Sequence, residues 1–205
     1  MPVRIGGVDP ELTKLTTFDS VMDYMNSKGQ IDRIDPAHYD TEDLKKWLLH
    51  YHNKYRTHHN AGNMATNGEL NKAAQKWANE MAHRKQCLVH EQPSKFGENL
   101  SYFAATHFPS PNTCAAAIIQ GFYTEGVGYD YSRFDASSWT KTGHFTQLLW
   151  KASVNLGVGV ANVKRGSMHH IYVCLKYDPP GNMQTSDAYL NNIEEPKGKS
   201  CCIIS

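Results

Sequence analysis

Cysteine is scarce in this chain, and long apolar runs are missing altogether. The five cysteines, Cys87, Cys114, Cys174, Cys201 and Cys202, form an odd set with two adjacent at the carboxyl end. Such a set is no disulfide framework, and it leads one to expect a reducing compartment. No window comes near the roughly 20 consecutive apolar residues of a membrane-spanning helix. The opening MPVRIGGVDPELTKL lacks the apolar stretch of about 7 to 15 residues of a secretory signal, and no Gly follows Met1 for myristoylation. The expectation is therefore a cytosolic chain. Charge of one sign is lacking too: 21 basic and 20 acidic side chains leave a net +1, so no global field favours nucleic acid or an acidic membrane. Any membrane attachment must be local. Neither an HExxH zinc helix nor a GxSxG nucleophile elbow occurs.

What is present is ordinary globular composition, 40% hydrophobic and 20% charged over 205 residues, enough for one well-buried core with tails. Residues 1–38 read as an extension with one helix: Asp9 caps it, Pro10 suits its first position, and Leu12, Leu15, Val21 and Met25 make an apolar stripe. Residues 39–183 read as the main domain. Its first helix follows Asp40 and Thr41, with Leu44, Trp47, Leu48, Tyr51 and Tyr55 on one face. After a loop over 60–68, Leu70, Ala73, Ala74, Trp77, Ala78, Met81 and Ala82 repeat at helical spacing, and the alanines allow close approach to a neighbour. Glu98–Phe103 is a strand candidate. Residues 113–124 form a third helix behind a Ser, Pro, Asn and Thr cap region. Gly126–Thr142 reads as a long loop, its Tyr129, Tyr131, Phe134 and Trp139 marking it as packed.

Val154, Leu156, Val158 and Val160 alternate with Asn155, Gly157, Gly159 and Ala161. That pattern predicts a strand with one bulky and one nearly bare face, against which something packs closely. Lys164–Ser167 is a turn, and Met168–Tyr177 is apolar on both faces, as in a central strand. Helices before and between short antiparallel strands imply an α+β fold, an α-β-α sandwich. Residues 184–205 read as a tail. The His169-His170 doublet alternates across a strand, so both cannot easily serve one site. Cys87-x-x-His90 has metal-like spacing without a second pair, and Cys87 reads as a buried structural thiol.

Gly143–Ser153 (GHFTQLLWKAS), the glycine-spaced strand and Pro179–Met183 (PPGNM) occur in order. With HNKYR at 52–56, the helix around Trp77, GENL at 97–100 and FYTE at 122–125, they resemble the CAP superfamily of cysteine-rich secretory, venom antigen five and plant pathogenesis-related proteins. The resemblance covers about residues 44–183 and points to the intracellular, Golgi-associated pathogenesis-related kind. It implies the three-layer CAP sandwich with a short antiparallel sheet. It also implies a central cleft where two histidines and two glutamates can hold a divalent metal, here His90, His144, Glu98 and Glu125. Imidazoles suit zinc, and carboxylates can bind directly or polarise a metal-bound water. Two histidines alone leave coordination positions open, so binding should be of moderate affinity and pH-sensitive. By the same resemblance the expected role is non-enzymatic lipid or sterol binding in a groove near the Tyr129–Trp139 loop. A self-associating interaction scaffold, a homodimer for instance, is the alternative, and a metal-dependent hydrolase a third reading. Secreted members carry a cysteine two residues before the strand-ending tyrosine, where this chain has Leu175 before Tyr177. Cys174, one place earlier, faces the opposite side, so the family's disulfides are not transferred.

Cys202-Ile203-Ile204-Ser205 fits the C-a-a-X prenylation signal, with serine favouring farnesyl. One lipid chain gives only reversible anchoring, and Lys197 and Lys199 make a weak basic patch offset by Glu194 and Glu195. Cys201 is the natural second acylation site. The expected location is thus the cytoplasmic face of the Golgi, another endomembrane or the plasma membrane, with secretion as the alternative. Asn99-Leu100-Ser101 is a glycosylation sequon only in that second case.

Overall fold

The structure, a computed structural model, describes residues 5–135, 137 and 139–197. The carboxyl-terminal signal, with Cys201 and Cys202, lies outside the described residues.

The amino-terminal stripe divides into two elements. Asp9 accepts a hydrogen bond from the Glu11 amide, but the chain completes only a 3-10 turn, Leu12–Lys14, before Leu15 takes an extended ψ of 130°. The helix proper, α1 (Phe18–Asp32), restarts at Thr17, whose hydroxyl accepts from the Ser20 amide. Leu12, Val21 and Met25 are buried all the same, because α1 packs on a later helix, α4 (Pro111–Thr124).

Helix α2 (Thr41–His58) is capped by Asp40, which accepts from the Asp43 amide, and it buries Leu44, Leu48, Tyr51 and Tyr55 as its spacing predicts. Helix α3 (Gly68–Glu80) is capped by Asn67. It runs on into a π-helical segment, Met81–Lys85. The segment ends where Gln86 adopts a left-handed φ of 55°, which directs the chain outward. Cys87 is exposed as a result, contrary to the expectation of a buried thiol.

The sheet has the order β1-β3-β4-β2. Its long members β2 (Gly97–Ala105), β3 (Asn155–Arg165) and β4 (Met168–Asp178) are antiparallel, with β4 central. The two-residue β1 (Ala65–Thr66) joins β3 in parallel, so the sheet is mixed, with long strands, rather than short and purely antiparallel. The bare face of β3 is where α3 lies: a Cβ at Gly157 or Gly159 would fall into the backbone of Leu70 or Ala74. The other face of the sheet is covered by α2, with α4 behind it. These are the three layers of the expected sandwich.

Two segments depart from expectation. The expected loop stops short of Thr142, because Trp139–Leu149 is a helix, α5, and Trp139 is exposed on it while Tyr129, Tyr131 and Phe134 pack against the core. Downstream of 184, α6 (Ser186–Asn192) docks on the domain. Its Tyr189 is buried, stacking on Phe134 at 4.5 Å and meeting Trp150 edge-on at 5.1 Å.

Candidate functional site

The four carried-over residues come from four different elements and form two pairs. His144, within α5, directs Nδ1 at Glu125 Oε1 at 2.6 Å. Glu125, just after α4, also accepts from the backbone amides of His144 and Phe145 through Oε2, at 2.9 and 3.3 Å. The Phe122 ring stacks on the His144 imidazole at 5.0 Å and 15°. His90 directs Nδ1 at Glu98 Oε1 at 2.5 Å, and Glu98, near the start of β2, also accepts from the Glu91 amide at 3.2 Å. Since a carboxylate only accepts, each imidazole carries a proton on Nδ1, and in the neutral ring Nε2 is then the acceptor.

The two pairs differ in electrostatics. Glu98 is nearly buried, and a second cation faces it: the fully buried Lys176 on β4 puts Nζ 2.6 Å from Glu98 Oε2 and 2.7 Å from Glu91 Oε2. Burial alone would raise the Glu98 pKa, but the hydrogen bonds from His90 and Lys176 outweigh it and hold the carboxyl below its usual range. Lys176 is likewise held above the usual lysine range: burial works against its charge, and the bonds to Glu91 and Glu98 prevail. Cys174 lies alongside, Sγ 3.7 Å from Glu98 Oε2, buried and pushed well above the ordinary thiol pKa by desolvation and then by the Glu98 charge. The Glu125 pair has no lysine partner within salt-bridge distance among the described residues.

A buried polar chain ties the site to α2. His52 gives Nδ1–H to the Leu48 carbonyl at 2.9 Å, so its Nε2 accepts from the Tyr177 hydroxyl at 2.7 Å. Asn99 then donates to the Tyr177 oxygen at 3.2 Å and to the His144 carbonyl at 3.0 Å. Burial drives the His52 pKa down to about 3, so its imidazole is neutral. Arg56, one turn further along α2, is wholly buried. It donates to the carbonyls of Gly62, Leu148, Trp150 and Ser153 at 2.7 to 3.0 Å, fixing the end of α5 against the start of β3. Asn99, the sequon asparagine, is thus buried and engaged. The doublet histidines have separate partners, His169 at Asn162 and His170 at Tyr102.

Among the described residues no three His, Cys, Asp or Glu side chains converge closely enough to hold a metal ion. A closed tetrad therefore does not fit this arrangement. What fits is narrower: two imidazoles, each oriented by a carboxylate on Nδ1, offering Nε2 outward in the pattern that carboxylates impose on metal-binding histidines.

Beside the His144–Glu125 pair opens a cavity of about 360 Å³. Its walls are α1 through Phe18, Val21, Met22 and Met25, α4 through Ala117, Ile118, Gly121 and Phe122, and Leu88 with the β2 residues Leu100 to Tyr102. His144 and Glu125 supply its polar end. The aromatic loop, where the groove was expected, borders two further cavities of about 190 and 290 Å³. The first is lined by Asp130, Arg133 and Asp135, and the second by Leu15, Tyr123, Val127, Tyr129, Tyr131 and Phe145.

A mixed sheet between helical layers, with two His–Glu pairs at its edge, defines an α-β-α sandwich of the cysteine-rich secretory type. The sequence matches the CAP, or cysteine-rich secretory protein, family over residues 49–176, more than half of the chain, and the chain belongs to that family. It is 32% identical over 150 residues to pathogenesis-related protein 1A1 of Solanum lycopersicum, covering 73% of this chain and 78% of the relative. It is 29% identical over 153 residues to Golgi-associated plant pathogenesis-related protein 1 of Homo sapiens, covering 73% and 92%. The solved structure described as NaASP2 with Zn2+ superposes with a TM-score of 0.54 at 24% identity, over 72% of this chain and 85% of that one. No helix among the described residues is long and apolar enough to cross a membrane.

Proposed function

We propose that this CAP protein is a non-enzymatic carrier or sensor of a lipid or sterol, held at the cytoplasmic face of a membrane by lipid on Cys202, with Cys201 as a second acylation site. The observation that supports it best is the apolar cavity between α1, α4 and β2. Its volume of about 360 Å³ lies within the roughly 300–1,000 Å³ of small-molecule sites. Apolar walls with a single polar end suit a ligand having one polar group. Each methylene buried there contributes about 0.8 kcal/mol. Zinc enters this reading as an accessory ion on the Nε2 atoms of His90 and His144 with water completing its shell, hence weakly held; the NaASP2 relative described with Zn2+ lends support. The name of the human relative supports a Golgi location.

The test is extraction and mass spectrometry of lipid from the purified chain, beside Met22→Trp, which fills the cavity from α1, and beside a His90→Ala, His144→Ala double variant dialysed against zinc. A stoichiometric lipid in the wild type that Met22→Trp excludes supports carriage. An empty cavity in every sample rejects it. Zinc retained equally by the double variant rejects the metal assignment. Phe18 (54% exposed), Leu88 (46%) and Tyr102 (37%) rim the cavity mouth, which favours a second reading, self-association through this rim. In that case the empty cavity would accompany a dimer in sedimentation.

A further inference from the structure

A hollow of about 580 Å³ lies away from the His–Glu pairs on the outer flank of α2. Basic and hydrogen-bonding side chains face it: His50, Lys54 and His58 from successive turns of α2, Asn63 from the following loop, and Lys197 from the end of the described chain. Among the described residues no carboxylate lines it. Neither Lys54 nor Lys197 has an acidic partner within 4.0 Å among the described residues.

The acceptors that might have balanced these donors are already spent. Asn53 Oδ1 accepts from the Met64 amide at 2.8 Å while its Nδ2 donates to the Met64 carbonyl at 3.1 Å, which fixes the orientation of that amide. Asn63 Oδ1 accepts from the Thr57 hydroxyl at 3.1 Å, leaving Asn63 Nδ2 free to donate. The His58 carbonyl accepts from the Lys197 amide at 2.8 Å, which holds Lys197 beside the end of α2. Ile5 and Gly6 complete the lining from the amino-terminal segment. Burial and then Lys54 lower the His50 pKa, and burial and then Lys197 lower that of His58. Two ammonium–imidazole pairs thus line one hollow, with no carboxylate between them among the described residues.

We infer that this hollow is a binding site for a phosphate monoester, gripped by the Lys54 and Lys197 ammonium groups and hydrogen-bonded by His50, His58 and Asn63. A lipid headgroup and a soluble phosphate present the same chemistry. The headgroup source alone rests on the membrane tether proposed above. Lys197 stands five residues before Cys202, a span of at most about 18 Å of extended chain, so a bilayer holding that lipid would lie against the hollow.

The experiment uses the full chain as Cys201→Ser, Cys202→Ser, so that failure of the tether reading does not touch it. Inorganic phosphate is titrated while the imidazole resonances of His50 and His58 are followed, and flotation is measured with phosphatidylcholine vesicles with and without phosphatidic acid. Lys54→Gln, Lys197→Gln is carried alongside, its thermal midpoint confirming that it folds. A saturable shift of both imidazoles, weakened about tenfold or more in the double variant, supports a soluble phosphate. Flotation that needs phosphatidic acid and both lysines, with no response to free phosphate, supports the headgroup. Equal behaviour of the two proteins in both assays, or no response in either, overturns the site.

Discussion

Lys176→Met separates the electrostatics of this fold from its packing. The ammonium is fully buried between two carboxylates, 2.6 Å from Glu98 and 2.7 Å from Glu91. Methionine keeps the length of the stem and removes the charge. Breaking a buried pair by deleting one partner costs about 3–5 kcal/mol, chiefly because the remaining charge stays buried without compensation. Glu98, whose side chain is 6% exposed, is the group left in that position. Its pKa fixes the pH dependence. In the wild type the carboxyl is held below its usual range, because hydrogen bonds from His90 and Lys176 outweigh burial, so its contribution is present above the unfolded value of about 4.3 and lost as pH falls. In the variant, burial, the largest single influence, is opposed only by the bonds from His90 and the Glu91 amide, and the folded pKa is expected to rise above the unfolded one. That reverses the sign: the variant is penalised at neutral pH and recovers as Glu98 takes up a proton. Urea unfolding should show a gap of about 3–5 kcal/mol at pH 7 that narrows by pH 5. Adding Glu98→Gln should restore roughly 1–3 kcal/mol at pH 7 by removing the stranded charge. A gap below about 1 kcal/mol, the median of exposed pairs, or the same gap at both pH values, refutes the reasoning.

Other expectations test the frame around the site. His52, neutral with a folded pKa of about 3, contributes stability that is complete above its unfolded value of about 6.5 and is lost as pH falls toward 3, at a slope approaching 1.4 kcal/mol per pH unit. His52→Gln should flatten that limb in urea titrations, and an unchanged slope would point to another group. Gly159→Val should cost about 3 kcal/mol or more, since the new side chain meets the Ala74 backbone of α3 and backbone cannot rotate aside. The same change at Gly166, which has open space around it but a left-handed φ of +60°, should cost only the backbone strain of about 1–2 kcal/mol in the same chemical denaturation.

Much of the architecture could be read because its signals are local. Gly157 and Gly159 announced a bare strand face, and α3 lies on it. Asp40, Asn67 and Ser110 cap α2, α3 and α4, the first and last where composition placed them. Local reading failed where two signals compete within one stretch: Asp9 and Pro10 look like a helix start, but Leu15 breaks the run and Thr17 restarts it. Helix α5 failed for the opposite reason. Phe145 through Leu149 are all buried, so no polar face interrupts them and no 3.6-residue period exists to be seen.

The site divides along the same line. His144, Glu125, His90 and Glu98 could be named from family motifs, and the structure does pair each histidine with a glutamate. What holds the pairs was invisible, because Lys176 meets Glu91 and Glu98 across 85 and 78 residues of chain, and His52 meets Tyr177 across 125. A lysine on an otherwise apolar strand and a histidine on a helix face read as solvated exceptions until the fold supplies their partners. The consequence bears on the metal question. Lys176 already balances Glu98, so the carboxylate on the His90 side serves to orient its imidazole, while Glu125 faces His144 with no lysine beside it. The two halves of the expected tetrad are therefore electrostatically unequal.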